Sequence, residues 1–443
     1  MFSNKDLRKL IIPLVIEQLL AVTIGMADTV MVSSCGEAAV SGISLVDSIN
    51  FLLITLFSSL ATGGAVIASQ YIGRGDHKSA SLAAKQLFYA SLALSAVLGV
   101  ITVFFRKPVL NMVFGSIEAD VMAHAQIYFL LSAISYPFLA VYNAGAALFR
   151  SMGDSRTTML ISILMNTINI VGNAILIYGF QMAAAGAATA SLVSRAVGAI
   201  INTVLLLNPR RIIFYDKLHK PEIHLSMLKS ILQIGVPNGL ENSIFQIGKI
   251  LVASIVSGFG TISITANAVA GNLASLQVIP GMALGMAMIT VVGQCIGAKD
   301  YEAVKKYTKK LMLITYGVVW AMTLLMLLFS KQILSFYSLS EETTTMTMEV
   351  FIVHGICAVI VWPLAFALPN ALRAANDVRF TMIVSLLSMW IFRIGFSYIL
   401  AIYFNMGILG TWIAMCIDWF CRGACFVIRF ARGKWKNISF IDN

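Results

Sequence analysis

Residues 10–36 read LIIPLVIEQLLAVTIGMADTVMVSSCG, and only Glu17 and Asp28 carry charge in this stretch. A helix over these residues would be about 40 Å long, which exceeds the ~30 Å hydrocarbon core of a bilayer. Three basic residues precede the stretch, which is far longer than a signal-peptide core, and no small-residue cleavage site follows it. The sequence therefore predicts a first membrane-spanning helix that is retained as an anchor.

The composition of the whole chain leads to the same interpretation. Of its 443 residues, 59% are hydrophobic and 12% are charged, whereas soluble proteins carry roughly 25% charged residues. These values exclude a set of soluble domains. Long apolar stretches recur and predict an all-α membrane protein with twelve transmembrane helices, at 7–33, 44–71, 83–105, 121–147, 157–179, 183–207, 227–256, 268–296, 306–329, 345–371, 380–404 and 408–430.

The net charge of +11 could indicate nucleic acid binding. The positions of the basic residues along the chain test this interpretation. Of 31 Lys and Arg residues, 24 fall in the N-terminal segment and in loops on its side of the membrane. The other seven are Arg106, Lys107 and Lys331 on the opposite side and Arg195, Lys249, Arg393 and Arg422 inside spans. Basic loops are retained in the cytoplasm. We therefore expect a multi-pass protein of a bacterial inner or plasma membrane, with both termini cytoplasmic and no nucleic acid partner.

The chain contains an internal repeat. A shift of 224 residues aligns Pro13, Glu17, Gly73 and Asp76 with Pro237, Glu241, Gly297 and Asp300. A shift of 223 aligns Arg150, Asp154, Arg156 and Thr158 with Arg373, Asp377, Arg379 and Thr381. The repeat predicts an N-terminal lobe at 1–207, a cytoplasmic linker at 208–229 and a C-terminal lobe at 230–443. Because six crossings return the chain to its starting side, the two six-helix lobes should be related by a pseudo-twofold axis along the membrane normal.

A duplicated bundle of this kind is typical of secondary transporters, in which a cleft between two lobes opens to either side. The sequence contains no GxxxxGK[ST] nucleotide-binding motif, so an ion gradient is the expected energy source. No catalytic constellation is visible, and we expect neither enzymatic activity nor a resident cofactor.

Several long motifs identify a family. They are PLVIEQLLAVTIGMADTVMVSSCGEAAVSG at 13–42, GGAVIASQYIGRGD at 63–76, GMAMITVVGQCIGAKD at 285–300 and LFRSMGDSRTTMLISILMNTINIVGNAILIYGF at 148–180. Along essentially its whole length the chain resembles multidrug and toxic compound extrusion (MATE) transporters of the bacterial, DinF-like type. The resemblance implies an antiporter that exports organic cations or other amphipathic compounds in exchange for H⁺ or Na⁺. We expect this protein to act as a monomer.

Five residues in the N-terminal half form a candidate coupling site. Asp28 lies inside the first span, where a charged carboxylate is costly unless it is paired or hydrated. Asn169 and Asn173 lie one turn apart in helix 5, and Ala187 and Ser191 lie one turn apart in helix 6. Counted from the helix ends, these positions fall within roughly 5 Å of one depth.

The chemistry of these residues leaves two coupling ions open. One carboxylate with amide, hydroxyl and carbonyl oxygens suits a hard cation, so Na⁺ would bind to Asp28, Asn169 and Asn173. The same carboxylate could carry a proton, because burial disfavours its charged form. Alternatively, Asp28 is structural and pairs with Arg195. In related MATE transporters these positions act in coupling, and the resemblance places Ser191 where a threonine is common and Asn173 where some relatives have a second carboxylate.

The second half departs from some MATE branches, which place a glutamate at the position of Phe245. Here the acid is Glu241, which repeats Glu17 at the same distance from the preceding proline. Both glutamates lie deep in their spans. They are candidate ligands for a cationic substrate or, alternatively, hydrogen-bonding partners of neighbouring helices. Lys249, two turns beyond Glu241, is a candidate partner for it. Pro13 is a candidate hinge in helix 1 or an ordinary proline of its first turns.

Two further expectations concern the later spans. Asp418 and Arg422, at i and i+4, are expected to form an ion pair within one helix. Pro280, Pro363 and Pro369 are expected to break their helices.

The main alternative function is a lipid-linked saccharide flippase of the same superfamily. Such a protein should line its cavity with many basic residues that bind pyrophosphate, and only four basic residues lie in the spans. A channel and an intramembrane enzyme fit the lobed repeat less well.

Overall fold

The structure is a computed structural model that describes residues 2–115, 118–216, 218–220, 222–337, 339–438 and 440, with side chains at 26, 27 and 29 excepted. The first helices are α1 Asn4–Ser33, α2 Glu37–Arg74, α3 His77–Phe114, α4 Ala119–Ser151, α5 Ser155–Asn173, α6 Ala183–Leu206 and α7 Leu225–Ser257. They are followed by α8 Thr261–Gly297, α9 Tyr301–Leu328, α10 Ser330–Ser335, α11 Glu341–Ile360, α12 Leu368–Ala374, α13 Val378–Ser388 and α14 Gly407–Ala431. Wider π-helical turns occupy Ala174–Gly179, Pro363–Ala367, Met389–Gly395 and Tyr398–Tyr403, and a short 3₁₀ helix covers Lys434–Asn437.

Within the described residues, twelve helices are long and apolar enough to cross a membrane, which confirms the all-α membrane fold. Several extend well beyond the predicted spans. Helix α2 begins at Glu37 instead of 44, and α3 ends at Phe114 instead of 105. Hydropathy marks only the apolar part of a helix, whereas the hydrogen-bonded backbone continues into polar residues at its ends.

Some of the predicted proline breaks are present in the structure and others are not. Helix α11 ends at Ile360, and the chain continues through a π-helical segment that begins at Pro363. The predicted break at Pro280 is wrong, because α8 continues through this residue from Thr261 to Gly297. A proline removes one backbone hydrogen bond, and a helix surrounded by others often tolerates that loss. Pro13 likewise lies inside the continuous helix α1.

The chain divides into two compact units, Phe2–Gly239 and Leu240–Asn443, here called the N-terminal and C-terminal units. The predicted lobe and linker boundaries stay a prediction. In the N-terminal unit, α4 packs against α2, α3 and α6, and α5 packs against α1 and α6. Small residues permit close helix approach. A Cβ atom on Gly42 would lie 2.9 Å from the backbone nitrogen of Ala125, so α2 and α4 meet almost backbone to backbone.

In the C-terminal unit, α8 packs against α9, α11 and α12, and α14 packs against the π-helical segments. Its core includes the large aromatic side chains of Trp362, Trp412 and Trp419, all of which are buried. Burial of these rings removes much apolar surface from contact with the surroundings and fixes α11 and α14 in register.

The two halves begin corresponding helices in the same way. The Asp76 carboxylate accepts a hydrogen bond of 3.0 Å from the backbone N–H of Ser79 at the start of α3. The Asp300 carboxylate accepts one of 2.9 Å from Ala303 at the start of α9. Hydrogen bonds from Ser79 hold the pKa of Asp76 below its usual value. Both aspartates act as N-caps and are related by the 224-residue shift, so the sequence repeat is also a repeat of local structure.

Candidate functional site

Four of the five predicted coupling residues form one hydrogen-bonded chain across α1, α5 and α6. The Asn173 amide nitrogen donates to Asp28 Oδ1 at 2.5 Å and to Asn169 Oδ1 at 3.4 Å. The Asn169 amide donates in turn to Ser191 Oγ at 3.1 Å. Asn173 is the last residue of α5, where the helix widens into the π-helical turn Ala174–Gly179. Such turns re-aim side chains and often occur at functional sites.

One oxygen of this chain has no hydrogen-bond donor. Asn173 is fully buried, and within the described residues its Oδ1 has no hydrogen-bond partner. Reversing the amide would not help, because Asn173 Nδ2 already donates to two oxygens. An unpaired buried carbonyl is costly. Asn173 Oδ1 is therefore an available ligand beside the Asp28 carboxylate.

Ala187, the fifth predicted residue, is buried in an apolar cluster with Val32 and Ile177. Tyr128 packs against this cluster. This cluster joins α6 to the end of α1 and to the π-helical turn after Asn173. The Ala187 side chain therefore packs against these segments, and only the Ala187 backbone carbonyl could act as a ligand.

A second carboxylate in the N-terminal unit was missed from the sequence. Asp47 on α2 accepts hydrogen bonds from the Tyr128 hydroxyl at 3.0 Å and from Asn50 Nδ2 at 3.4 Å. The same amide reaches Ser132 Oγ at 3.3 Å, and the Tyr136 hydroxyl donates to Asn50 Oδ1 at 2.7 Å. Asp47 is thus the end of a polar network that links α2 to α4.

Tyr128, which donates to Asp47, packs against the apolar cluster at the end of α1, and Arg195 lies one turn after Ser191 on α6. The Arg195 guanidinium donates to Ser135 Oγ at 2.7 Å, and the hydrogen bond to Asp28 comes from Asn173. The described structure does not show the alternative direct pairing of Asp28 with Arg195. When both acids are ionised, two carboxylates and one guanidinium give an excess negative charge, which favours a bound cation.

The length of α2 explains why Asp47 was missed. The predicted span began at 44, which placed Asp47 in its first turn, where an acid is unremarkable. Helix α2 begins at Glu37, so Asp47 lies almost three turns inside it. The available signal was Asn50, which lies one turn from Asp47 on the same face of an otherwise apolar stretch.

Glu17 is buried and paired with a cation. It accepts hydrogen bonds from Arg150 Nη1 at 3.1 Å and from Thr158 Oγ1 at 2.7 Å. These partners lie at the cytoplasmic ends predicted for α4 and α5. Of the two roles considered for Glu17, the structure shows the hydrogen-bonding one.

Glu241 repeats this arrangement in the C-terminal unit. Its Oε1 accepts hydrogen bonds from Arg373 Nη2 and Ser385 Oγ, both at 2.7 Å. The expected pairing of Glu241 with Lys249 is therefore not what the structure shows. Arg373 comes from a neighbouring helix and occupies the carboxylate, a contact that spacing along one helix cannot reveal. The alignment of Arg150 with Arg373 means that both halves neutralise the buried glutamate with the same repeated arginine.

The expected pair in α14 is present. Arg422 Nη2 donates to both carboxylate oxygens of Asp418, at 3.0 and 2.7 Å. Ser388 Oγ donates to Asp418 Oδ1 at 2.5 Å. Phe245, at the position where some MATE branches have an acid, lies with its ring centroid 5.4 Å from Arg422 Cζ.

Comparison with known proteins identifies the family. The MatE family model matches residues 13–175 and again 237–399, two segments separated by the same 224 residues as the sequence repeat. An uncharacterized transporter of Bacillus subtilis, YisQ, is 26% identical over 96% of this chain and 93% of that protein. A probable multidrug resistance protein NorM of Thermotoga maritima is 26% identical over 98% of this chain and 93% of that protein.

Solved structures agree on the fold. A crystal structure of MATE in the straight conformation superimposes with a TM-score of 0.90 at 20% identity, covering 98% of this chain and 97% of that one. An outward-facing multidrug resistance MATE family transporter superimposes with a TM-score of 0.89, also at 20% identity, over 98% and 97% of the two chains. The narrower DinF-like assignment stays a prediction. The chain belongs to the MatE family, and it is a multi-pass membrane transporter, not an enzyme.

Proposed function

We propose that the protein is a secondary active antiporter that exports amphipathic compounds, organic cations among them, in exchange for H⁺ or Na⁺ bound at Asp28. The observation that carries the proposal is the chain from Asp28 through Asn173 and Asn169 to Ser191, with the unpartnered Asn173 Oδ1 beside the carboxylate. Relatives named as multidrug resistance proteins support the class of substrate.

The donor set fits Na⁺. The ion would take a carboxylate oxygen of Asp28 with the amide oxygens of Asn173 and Asn169, and Ser191 adds a hydroxyl oxygen. These are the oxygen ligands that hard cations prefer. If H⁺ couples instead, the proton would bind to the Asp28 oxygen that does not accept from Asn173, and that hydrogen bond would persist.

Coupling then follows from a shared equilibrium between two conformations. A cation at Asp28 neutralises the carboxylate and favours one conformation, and the exported compound favours the other. A ligand shifts such an equilibrium only by its difference in affinity for the two states. We further propose that the transporter works as a monomer in a bacterial plasma membrane with both termini in the cytoplasm, as the distribution of basic residues indicates.

The test is export of a fluorescent organic cation from proteoliposomes under an imposed Na⁺ gradient or pH gradient. We expect export under one of them, which identifies the coupling ion. Asp28→Asn should remove gradient-driven export, whereas Asp120→Asn, an exposed acid in the first turn of α4, should not. Gradient-driven export by Asp28→Asn at the wild-type rate would refute the assignment. Failure of folded wild-type protein under both gradients would instead favour the lipid-linked saccharide flippase.

A further inference from the structure

The C-terminal unit contains basic side chains whose charges its acids do not neutralise. Arg393 lies in the π-helical segment Met389–Gly395, Lys249 lies on α7, and Arg422 lies on α14. Asp418 is the acid of this cluster, and both of its oxygens accept from Arg422. Arg393 and Lys249 therefore remain as two excess positive charges.

The Arg393 guanidinium is almost buried and poorly satisfied. Its side chain is 11% exposed, and its nearest acid is Asp418, with 4.0 Å between Nη1 and Oδ2. Its Nε is buried without a hydrogen-bond partner. Its other two nitrogens donate no hydrogen bond to any residue that the structure describes. A guanidinium carries five N–H donors. Burying them without an acceptor is costly, so an acceptor from outside this chain would stabilise the site.

Lys249 increases the excess positive charge. Its neighbour Gly248 packs against the side chain of Met389, which belongs to the same π-helical segment as Arg393, so α7 brings Lys249 to this segment. Among the described residues no carboxylate lies within ion-pair distance of Lys249, which is exposed on the surface of α7. Two cations whose one neighbouring acid, Asp418, already accepts from Arg422 form a site that prefers an anion.

An aromatic surface adjoins the two cations. Phe245 lies one turn before Lys249 on the same face of α7. The Cζ atoms of Arg393 and Arg422 lie 5.4 Å from the centroid of the Phe245 ring. The half-buried ring offers an apolar contact next to the Arg393 guanidinium. This combination fits a molecule that carries an oxyanion on an apolar or aromatic body.

The depth of the cluster distinguishes between sources of such an oxyanion. Lys249 lies about 12 Å inside the end of α7, at 1.5 Å per residue, and Arg393 lies ten residues inside the end of its span on the same membrane side. Lipid phosphates lie outside a hydrocarbon core that is about 30 Å thick. A substrate carboxylate reaches this depth more readily than a lipid headgroup.

We propose that Arg393 and Lys249 bind the carboxylate of transported substrates, so that amphipathic acids and zwitterions belong to the compounds that this protein recognises. The proposal rests on the proposed export function and specifies its substrate class. Arg422 keeps Asp418 neutralised and positions the Phe245 ring, and Arg393 and Lys249 provide the charges that attract the substrate.

The probes are a rhodamine dye with a free carboxylate and the methyl ester of the same dye, which lacks the negative charge. Binding to the purified full-length protein is measured by fluorescence anisotropy. We expect the wild type to bind the carboxylate dye at least about tenfold more tightly, as charge-assisted hydrogen bonds provide. Arg393→Met and Lys249→Met should reduce this preference, and Arg393→Lys should retain part of it. The exposed Lys305→Met on α9 is the matched control and should bind as the wild type does.

Several results would overturn the proposal. They are equal affinity of the wild type for both dyes, no binding of the carboxylate dye by folded protein, and an unchanged preference in both methionine variants. Complete displacement of the dye by vesicles rich in anionic phospholipid, but not by neutral vesicles, would assign the site to lipid phosphate instead. Binding is measured without a gradient, so a failure of coupled export would not alter these outcomes.

Discussion

Removing the cation that pairs with Glu241 should destabilise the protein more than removing both partners. The Glu241 carboxylate is 6% exposed. Among the described residues, Arg373→Met leaves it only the hydrogen bond from Ser385. In the double variant Glu241→Gln, Arg373→Met the buried charge is absent. The comparison separates the ion-paired role of Glu241 from a role in substrate binding.

The magnitude follows from burial. Leaving one member of a buried ion pair without its partner costs about 3–5 kcal/mol, whereas replacing both members is often nearly neutral. At about 2–4 °C per kcal/mol for a unit of some 200 residues, Arg373→Met should lower the unfolding temperature by about 6–20 °C. The double variant should recover most of this loss.

The measurement is thermal unfolding in detergent, followed by intrinsic tryptophan fluorescence, for the wild type, both single variants and the double variant. If Glu241 instead binds the substrate, Glu241→Gln will abolish dye binding while its unfolding temperature stays near that of the wild type. Equal unfolding temperatures for Arg373→Met and the double variant would likewise refute the reasoning.

Two further predictions concern the N-terminal unit. Asp47→Asn removes a negative charge that acts on Asp28, so the Na⁺ or H⁺ concentration for half-maximal export should rise by about tenfold; an unchanged ion titration would show that Asp47 has no part in coupling. A Cβ atom on Gly63 would lie 2.5 Å from the carbonyl oxygen of Ile231, so Gly63→Ala should lower stability by about 1–3 kcal/mol. Gly271→Ala meets no atom within 4 Å and should unfold at or above the wild-type temperature, and similar losses in both variants would contradict this explanation.

The number and type of helices could be predicted from the sequence because a bilayer demands long apolar helices whatever their packing. Helix ends could not, since hydropathy does not register backbone that continues to a polar cap such as Asp76. The site around Asp28 could be anticipated, because Asn169 and Asn173 share a face by helical spacing alone. The network of Asp47 could not be predicted, because its partner Tyr128 comes from another helix. The same limit explains the wrong partner proposed for Glu241.

The repeated glutamate–arginine pairs bear on how the chain is made. Glu17 precedes Arg150 by 133 residues, and Glu241 precedes Arg373 by 132. At a synthesis rate of about 5–20 residues per second, each acid is made roughly 7 to 26 s before its cation. During that interval the first helix of each half holds a carboxylate without its partner at membrane depth. The ion pair of each half can therefore form only after the fourth membrane-spanning helix of that half has been made.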